Sequence, residues 1–263
     1  MPRVVALYRY PVKGFHPESC ETLTVLDEGR IAGDRVLGFR FADSPAPDDA
    51  WSKKYELVVL ANTPGLARLA VRFDDAAMRL RISHEGVVLA EEGLDQGGRR
   101  RLCAALERYV LGLAESPLAG HPERLPLRLV GDGVTPRYQD NSEGQATLHS
   151  RGTLAAVAAA IGDTALSEVR FRSNIVIDGV APWEENRWLG RRIVIGGVEF
   201  NVVRHKTRCL ATHANPLTGE RDVQMMPLLM RHFSQEQPTF AVGMVAKGGG
   251  RQIRVGDEVD TLG

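Results

Sequence analysis

Short apolar stretches that end at turn-forming residues constrain the fold of this chain more than any other feature. Residues 3–10 are rich in β-forming residues and end at Pro11, and residues 69–73 alternate between apolar and polar. Gly196 and Gly197 separate two apolar runs, which is typical of a two-residue hairpin. Alternation with a period of two predicts half-buried strands, and frequent turns predict antiparallel pairs. We therefore predict an α+β fold that is dominated by β-structure.

The remaining periodic segments predict further strands and three short helices. The predicted helices are residues 99–113, a helix capped by Ser150 and running through residue 161, and residues 225–233. The predicted strands, besides residues 3–10, are three in a meander over residues 69–89 and then residues 127–130, 171–177, 193–195, 198–203, 240–245 and 253–259.

Composition excludes several classes of protein. The chain has 263 residues with 33 basic and 33 acidic side chains, so a nucleic-acid-binding module is disfavoured and any anion site must be local. We find no apolar run of about 18 residues and no signal-peptide core, so we expect a cytoplasmic protein without a membrane span. Cys20, Cys103 and Cys209 are far apart, which fits a reducing compartment and excludes a four-cysteine iron–sulfur cluster within one chain.

One of these thiols lies in an unusual setting. Cys209 follows Arg204, His205, Lys206 and Arg208, all of which are or can be cationic. Neighbouring positive charge lowers the pKa of a thiol, and only the thiolate is a nucleophile or a metal ligand. The pattern therefore indicates either a site for a soft metal or reactive-thiol chemistry. A small buried hydrophobic residue is the ordinary alternative for a lone cysteine.

The stretch from Phe171 to Asp222 resembles the MOSC domain family, named after the C-terminal domain of molybdenum cofactor sulfurase. It contains FRSNIVIDG, a tryptophan-containing acidic turn, and RCLATHANPLTG, which follow the family's motifs in order. Residues 7–14 (LYRYPVKG) and 32–39 (AGDRVLGF) resemble the companion N-terminal domain of the mitochondrial amidoxime-reducing component and its bacterial relatives.

The resemblance implies a fold, a domain division and a cofactor. We expect a MOSC-type β-barrel at residues 116–263 and an N-terminal β-rich domain at residues 1–115. The implied cofactor is the molybdenum cofactor, in which molybdenum is held by molybdopterin and by Cys209. Pyridoxal phosphate binding is also ascribed to the family.

The implied site residues come from both halves of the chain. The cofactor-binding set is Lys13, Gly14, Arg35, Arg172, Asn174, Thr207, Arg208 and Cys209, with Cys209 also the catalytic residue and metal ligand. The implied substrate face is Asp140, Asn141, His213 and Asn215.

Three positions depart from the family pattern: Gly14 often is serine, Asn215 mostly is aspartate, and Lys206 is a cysteine in many amidoxime-reducing relatives.

Residue chemistry supports part of this set. Guanidinium and ammonium groups suit phosphate, and an amide can bind a pterin edge. If residues 171–177 form a strand, Arg172 and Asn174 lie two positions apart and point to the same face.

The function implied by the resemblance is the two-electron reduction of N-hydroxylated compounds such as amidoximes, hydroxylamines and hydroxylated bases. Because the chain carries no flavin or iron–sulfur motif, electrons would come from a ferredoxin, a flavoprotein reductase or a cytochrome b5-like partner. His205 or His213 could supply protons, since imidazole titrates near neutral pH.

Two alternatives remain open at this point. Cys209 could hold a persulfide in a sulfur or cofactor carrier that turns over no N-oxide. It could also serve a thiol hydrolase together with His205 or His213, although no partner acid is located.

Overall fold

The computed structural model describes residues 1–141 and 143–262. Its strands are β1 (Arg3–Arg9), β2 (Glu18–Cys20), β3 (Thr22–Val25), β4 (Gly38–Arg40), β5 (Leu69–Asp74), β6 (Arg79–His84), β7 (Val87–Gly93), β8 (Arg128–Val130), β9 (Ala146–Ser150), β10 (Ile175–Asp178), β11 (Arg192–Ile195), β12 (Val198–Thr207), β13 (Thr239–Lys247), β14 (Arg251–Arg254) and β15 (Val259–Leu262). Its α-helices are α1 (Gln96–Leu111), α2 (Arg151–Ile161) and α3 (Met225–His232). The α+β, β-dominated class is confirmed.

The largest element is a mixed sheet of eight strands in the order β15-β11-β12-β13-β9-β10-β1-β2. Its pairs are antiparallel except β9 and β10, which run parallel and are connected through α2. Ser150 ends β9 and accepts a hydrogen bond from the Thr153 amide, so it caps α2 as predicted. The buried Glu185 carboxylate accepts from the Ser150 amide and hydroxyl at 3.0 Å each, which fixes this junction.

The described strands do not close into the expected barrel. The two terminal strands of the sheet, β15 and β2, are not hydrogen-bonded to each other. The sheet curls far enough that Arg3 and Glu258 form an isolated bridge, but β3 and β14 pair separately as a two-stranded ladder.

The predicted strand 253–259 is also wrong, and the reason is local. Gly256 adopts a positive φ of 94°, and the Asp257 carboxylate accepts from the Arg254 amide at 2.7 Å. This turn separates β14 from β15.

A second lobe contains the predicted meander, which is confirmed as the sheet β5-β6-β7. Helix α1 packs against β7 and β8, and β8 pairs with β4. The helix begins three residues earlier than predicted because the Asp95 side chain accepts hydrogen bonds from the amides of Gly97 and Gly98. A hydrophobic cluster drawn from residues 12–129 forms the core of this lobe.

The N-terminal strand belongs to the large sheet rather than to the second lobe. Strand β1 pairs with β2 on one side and with β10 on the other. Val4 and Leu7 therefore lie in the same hydrophobic cluster as Ile175 and Ile177. The division at residues 115 and 116 stays a prediction, but the ladder between β1 and β10 crosses it.

The predicted strand at residues 171–177 is wrong in its first half. Residues Glu168–Phe171 form a 3-10 helix, and the Arg172 amide donates to the Val169 carbonyl at 3.1 Å. Arg172 has a left-handed φ of 56°, and the strand starts only at Ile175. Strand alternation therefore does not determine where Arg172 and Asn174 point.

In the described ranges, every helix is too short or too polar to traverse a lipid bilayer.

Candidate functional site

A cleft lies where the second lobe meets the large sheet, and it holds most of the residues expected from the sequence. Its enclosed part has a volume of about 70 Å³ and opens into a groove of about 380 Å³. The enclosed part is lined by Lys13, Gly14, Arg35, Lys54, Val59, Leu60, Ala61, Asp140, Thr147, Phe171, Arg172, Lys206, Thr207, Arg208, Cys209, Ala211 and Thr212.

Two arginines of the cleft lie over one aromatic ring. The guanidinium carbons of Arg172 and Arg35 are 4.4 and 4.7 Å from the centre of the Tyr10 ring. Tyr10 is fully buried at the end of β1, and its hydroxyl donates to the Ser173 carbonyl at 3.2 Å. Cation–π attraction partly offsets the repulsion between the two guanidinium groups. Tyr10 therefore brings together cations from two distant parts of the chain.

The environment of the two arginines differs. Burial lowers the pKa of Arg172, whose guanidinium donates to the Phe15 carbonyl at 2.6 Å. Burial also acts to lower the pKa of Arg35, but the carboxylates of Asp34 and Asp140 outweigh it and raise that pKa. Arg172 thus lacks the adjacent carboxylate that Arg35 has in Asp34.

Lys13 forms an ion pair with Asp140 at the cleft. Burial lowers the pKa of Lys13, whereas the Lys13 ammonium holds the pKa of Asp140 well below its usual range. The two pKa shifts have different main causes: burial for Lys13 and the charge of Lys13 for Asp140.

The end of β12 contributes two more cations. Arg208 donates to the carbonyls of Lys206 and Phe171 at 3.0 and 2.8 Å, which fixes its guanidinium in the cleft. Burial lowers the pKa of Arg208 and lowers the pKa of Lys206 to about 8. Among the described residues, the Lys206 ammonium has no hydrogen-bond or ion-pair partner.

Positive charge exceeds negative charge in this cleft. Five buried or partly buried cationic side chains, those of Lys13, Arg35, Arg172, Lys206 and Arg208, and the exposed Lys54 line the cavity. Among the described residues, Asp140 is the one carboxylate that lines it, and Asp34 lies behind Arg35. Leaving buried like charges uncompensated is costly, and a bound anion removes that cost. The arrangement is that of a binding site for an anion with several negative charges.

Cys209 forms part of the wall between the enclosed cavity and the groove, because it lines both. It is partly exposed and precedes a 3-10 helix, Leu210–His213. The amide and hydroxyl of Thr212 both donate to the Cys209 carbonyl at 2.9 Å. A buried apolar role for this thiol is therefore excluded, whereas the other two cysteines do not line the cleft.

Arg170 holds the loop that follows the thiol, and sequence reasoning missed it. Its buried guanidinium donates to the carbonyls of Thr212, His213 and Ala214 at 3.2–3.3 Å and pairs with Asp222 at 2.8 Å. One residue thus fixes both ends of the loop. The FRSN motif points to Arg172 and not to Arg170. The role of Arg170 is seen only in the structure, where its guanidinium contacts three consecutive carbonyls.

Gly14 departs from the family pattern for a steric reason. Its φ is 87°, and a Cβ atom added to it would lie 2.7 Å from the Cα atom of Val59. A serine does not fit on this backbone without movement. At this point the backbone of Gly14 therefore lies close to that of Val59, and position 14 contributes no side-chain hydrogen-bond donor to the cleft.

The structure brings together seven of the eight residues in the expected cofactor-binding set. Asn174 is the exception, because it is fully buried behind the cleft. Its side-chain amide donates to the Tyr8 carbonyl and to Asp34, and its oxygen accepts from Thr147. Asn174 thus supports Thr147, which does line the cleft.

The expected substrate face divides into two pairs. Asp140 and Asn141 line the groove. His213 and Asn215 do not: His213 accepts from the Met226 amide at 3.3 Å, and Asn215 accepts from the amides of its own turn. Burial lowers the pKa of His213, so this ring is neutral at pH 7. His205, by contrast, lines the groove.

We predict that Arg170→Lys loosens the thiol loop, because an ammonium cannot donate to three carbonyls and a carboxylate in this geometry. The free energy of unfolding should fall by about 3 kcal/mol, and Cys209 should react faster with a maleimide. Urea unfolding and thiol labelling measure the two effects. Arg151→Lys, on the exposed Arg151–Glu168 pair, is the control; equal labelling rates in the two variants would contradict the role of Arg170.

We predict that Lys206→Met stabilises the folded protein and that the gain shrinks as pH rises. A lysine whose folded pKa is about 8 rather than 10.5 opposes folding fully below pH 8, and this cost disappears as pH rises towards 10.5. The expected gain is about 3 kcal/mol at pH 7 and about 1.5 kcal/mol at pH 9.5. Urea unfolding at both pH values tests this; a gain that does not change with pH would rule it out.

Comparisons with known proteins agree with the geometry. The family model described as MOSC domain matches residues 135–260. The molybdenum cofactor sulfurases of Caenorhabditis briggsae and Caenorhabditis elegans are each 37% identical over 73 residues, and that of Anopheles gambiae is 36% identical over 64 residues. The Caenorhabditis matches each cover 28% of this chain and 10% of the relative. The Anopheles match covers 24% of this chain and 8% of the relative. The chain therefore spans about a tenth of the length of these relatives.

Two solved structures are also similar. The YuaD protein of Bacillus subtilis has a TM-score of 0.44 and 12% identity, with 99% of this chain and 96% of that chain covered. YiiM of Geobacillus stearothermophilus has a TM-score of 0.34 and 13% identity, with 45% of this chain and 54% of that chain covered. Residues 135–260, just under half of the chain, thus match the MOSC domain family.

Proposed function

We propose that this protein is an oxidoreductase that binds the molybdenum cofactor, with Cys209 as the protein ligand of the metal. The observation that carries the proposal is the excess of positive charge beside an accessible thiol: among the described residues, six cationic side chains and one carboxylate line a cavity that Cys209 also lines. The proposal is also supported by the similarity to proteins named molybdenum cofactor sulfurase.

The donor set fits a phosphorylated pterin that carries a soft metal. Thiolate sulfur suits soft metal centres, and forks of N–H donors suit phosphate. Lys13, Arg35 and Arg172 would hold the anionic group, because Tyr10 places the two arginines over one ring and Lys13 faces the same cavity. Arg208 and Thr207 lie next to Cys209 in the chain and would hold the part of the cofactor nearer the thiol.

Part of the cleft wall is apolar. Val59 and Leu60 are buried, and with Ala61, Phe171 and Ala211 they line the enclosed cavity. An apolar wall excludes water and lowers the local dielectric, which strengthens every charge interaction with a bound anion. The cleft thus combines charged side chains for binding with apolar side chains for shielding.

When bound, the cofactor would supply two-electron and oxygen-transfer chemistry. A substrate would reach the thiol through the wider groove, which Trp51, Tyr55 and Asn141 also line. His205 is positioned to donate a proton there, since its ring lies on the groove and one nitrogen is 3.0 Å from the Asn186 carbonyl. His213 points away into the contact with α3 and is not available for this role.

The substrate class that we propose is N-hydroxylated compounds, and the reaction is reductive cleavage of the N–O bond with electrons from a separate redox protein. The sequence resemblance to amidoxime-reducing proteins supports this class. The groove of about 380 Å³, which Trp51 and Tyr55 line, gives room for a small molecule.

We predict that protein purified from a host that makes the molybdenum cofactor contains close to one molybdenum per chain and that Cys209→Ser contains almost none. A serine hydroxyl is not a soft ligand and stays protonated at neutral pH. Elemental analysis by mass spectrometry measures the metal. Cys20→Ser is the matched control, because Cys20 is also partly exposed but lies on β2 and does not line the cleft.

A second measurement separates a reductase from a sulfur carrier. Metal-loaded wild type with reduced methyl viologen as donor should convert benzamidoxime to benzamidine, and Cys209→Ser should not. Metal-free wild type that accepts labelled sulfur on Cys209 and reduces no N-hydroxylated compound would instead identify a carrier.

A further inference from the structure

The Lys13–Asp140 ion pair places a carboxylate of this chain where a ligand anion would meet the cation cluster. The Lys13 side chain is 6% exposed and the Asp140 side chain is 66% exposed, so the carboxylate lies on the open side of the pair. Within residues 1–141 and 143–262, Asp140 makes no other hydrogen bond or ion pair. Its carboxylate therefore depends on Lys13 alone for its position.

The same carboxylate interacts with more of the cluster than Lys13. The charges of Arg35 and Lys206 also act on Asp140, and all three cations line the enclosed cavity. Asp140 is the one carboxylate among the described residues that line this cavity, since Asp34 lies behind Arg35 and does not line it.

The main chain on either side of Asp140 is fixed. The Gln139 carbonyl accepts from the Trp51 indole at 3.0 Å, and the Gln139 side chain donates to the Asp34 carbonyl at 3.1 Å. On the other side, the Asn141 carbonyl accepts from the Gly144 amide at 3.3 Å, and the Asn141 side-chain amide donates to the Gln145 side chain at 3.0 Å. Rotation of the Asp140 side chain alone can therefore open the contact with Lys13, without movement of the backbone.

We propose that Asp140 is an internal competitor for the anion site: its carboxylate neutralises Lys13 in the free protein and leaves when a phosphate group binds. This inference rests on the proposed function only in taking the natural ligand to be a phosphorylated cofactor. Because any anion must first displace Asp140, free phosphate binds weakly. A ligand that also contacts the thiol and the apolar wall offsets the displacement through those additional contacts. Asp140 thereby selects the complete cofactor over small anions.

The test is titration of inorganic phosphate into protein from a host that lacks the molybdenum cofactor, followed by calorimetry at low ionic strength. Asp140→Asn should bind phosphate at least about fivefold more tightly than wild type, the size expected for a partly exposed ion pair. Asp140→Ala should show the same gain, which excludes a new contact from the amide. Glu143→Gln is the matched control and should bind as wild type does, because Glu143 lies in the same loop as Asp140 and lines neither cavity. Its partner Arg204 lies on β12 and lines the groove but not the enclosed cavity.

Phosphate affinity in Asp140→Asn that equals or falls below that of wild type overturns the inference, as does the absence of measurable binding in both. Circular dichroism confirms that each variant is folded. The molybdenum analysis separates this inference from the proposed function. If wild type binds molybdenum but Asp140→Asn shows no gain in phosphate affinity, the competitor role is refuted and the proposed function stands. If Asp140→Asn shows a clear gain in phosphate affinity but the protein never binds molybdenum, the competitor role is supported and the cofactor assignment is refuted.

Discussion

The positive charge of the cleft is the constraint on which the rest of this structure depends. Buried ammonium and guanidinium groups are costly unless they are paired, and here the described carboxylates cannot pair all of them. The chain limits the cost in two ways that need no extra carboxylate. Tyr10 supplies an aromatic face to two guanidinium groups, and main-chain carbonyls of Phe15, Phe171 and Lys206 accept from Arg172 and Arg208. Both devices leave the cations charged and free to attract an anion.

Loop geometry around the thiol depends on a second buried cation. Arg170 has its own carboxylate, Asp222, and three carbonyl acceptors, so its charge is satisfied inside the protein. The two neighbouring arginines therefore have opposite tasks. Arg170 uses its two terminal nitrogens to hold the loop from Cys209 to Asp222, whereas the Arg172 guanidinium makes one carbonyl contact and keeps donors for a ligand.

The sequence predicted the fold well where the signal was local. The meander predicted at residues 69–89, the Gly196-Gly197 hairpin and the Ser150 cap are confirmed, because turn residues and caps act within a few positions. Predictions that extended one pattern across a special backbone position were wrong. Arg172 has a positive φ although it is not glycine, and the turn at Gly256 divides a run that looked like one strand.

Site prediction was limited in the same way. Motif resemblance named the charged residues at the cleft, but it did not distinguish Asn174, which supports the wall from behind, from residues that line it. It also gave no signal for Arg170 or Tyr10, whose roles depend on contacts across the tertiary structure. The steric reason for Gly14 likewise depends on Val59, which is distant in sequence.

The crossing of β1 into the large sheet has an evolutionary consequence. Residues 135–260 carry the thiol, Arg172, Lys206 and Arg208, yet Lys13, Arg35 and the Tyr10 platform all come from the first 35 residues. Residues 135–260 placed elsewhere without this leading segment would keep the thiol but lose two cations and the aromatic ring of the cleft. Recombination of such modules is therefore expected to conserve the segment with the domain, or to recruit replacement cations from the new neighbour.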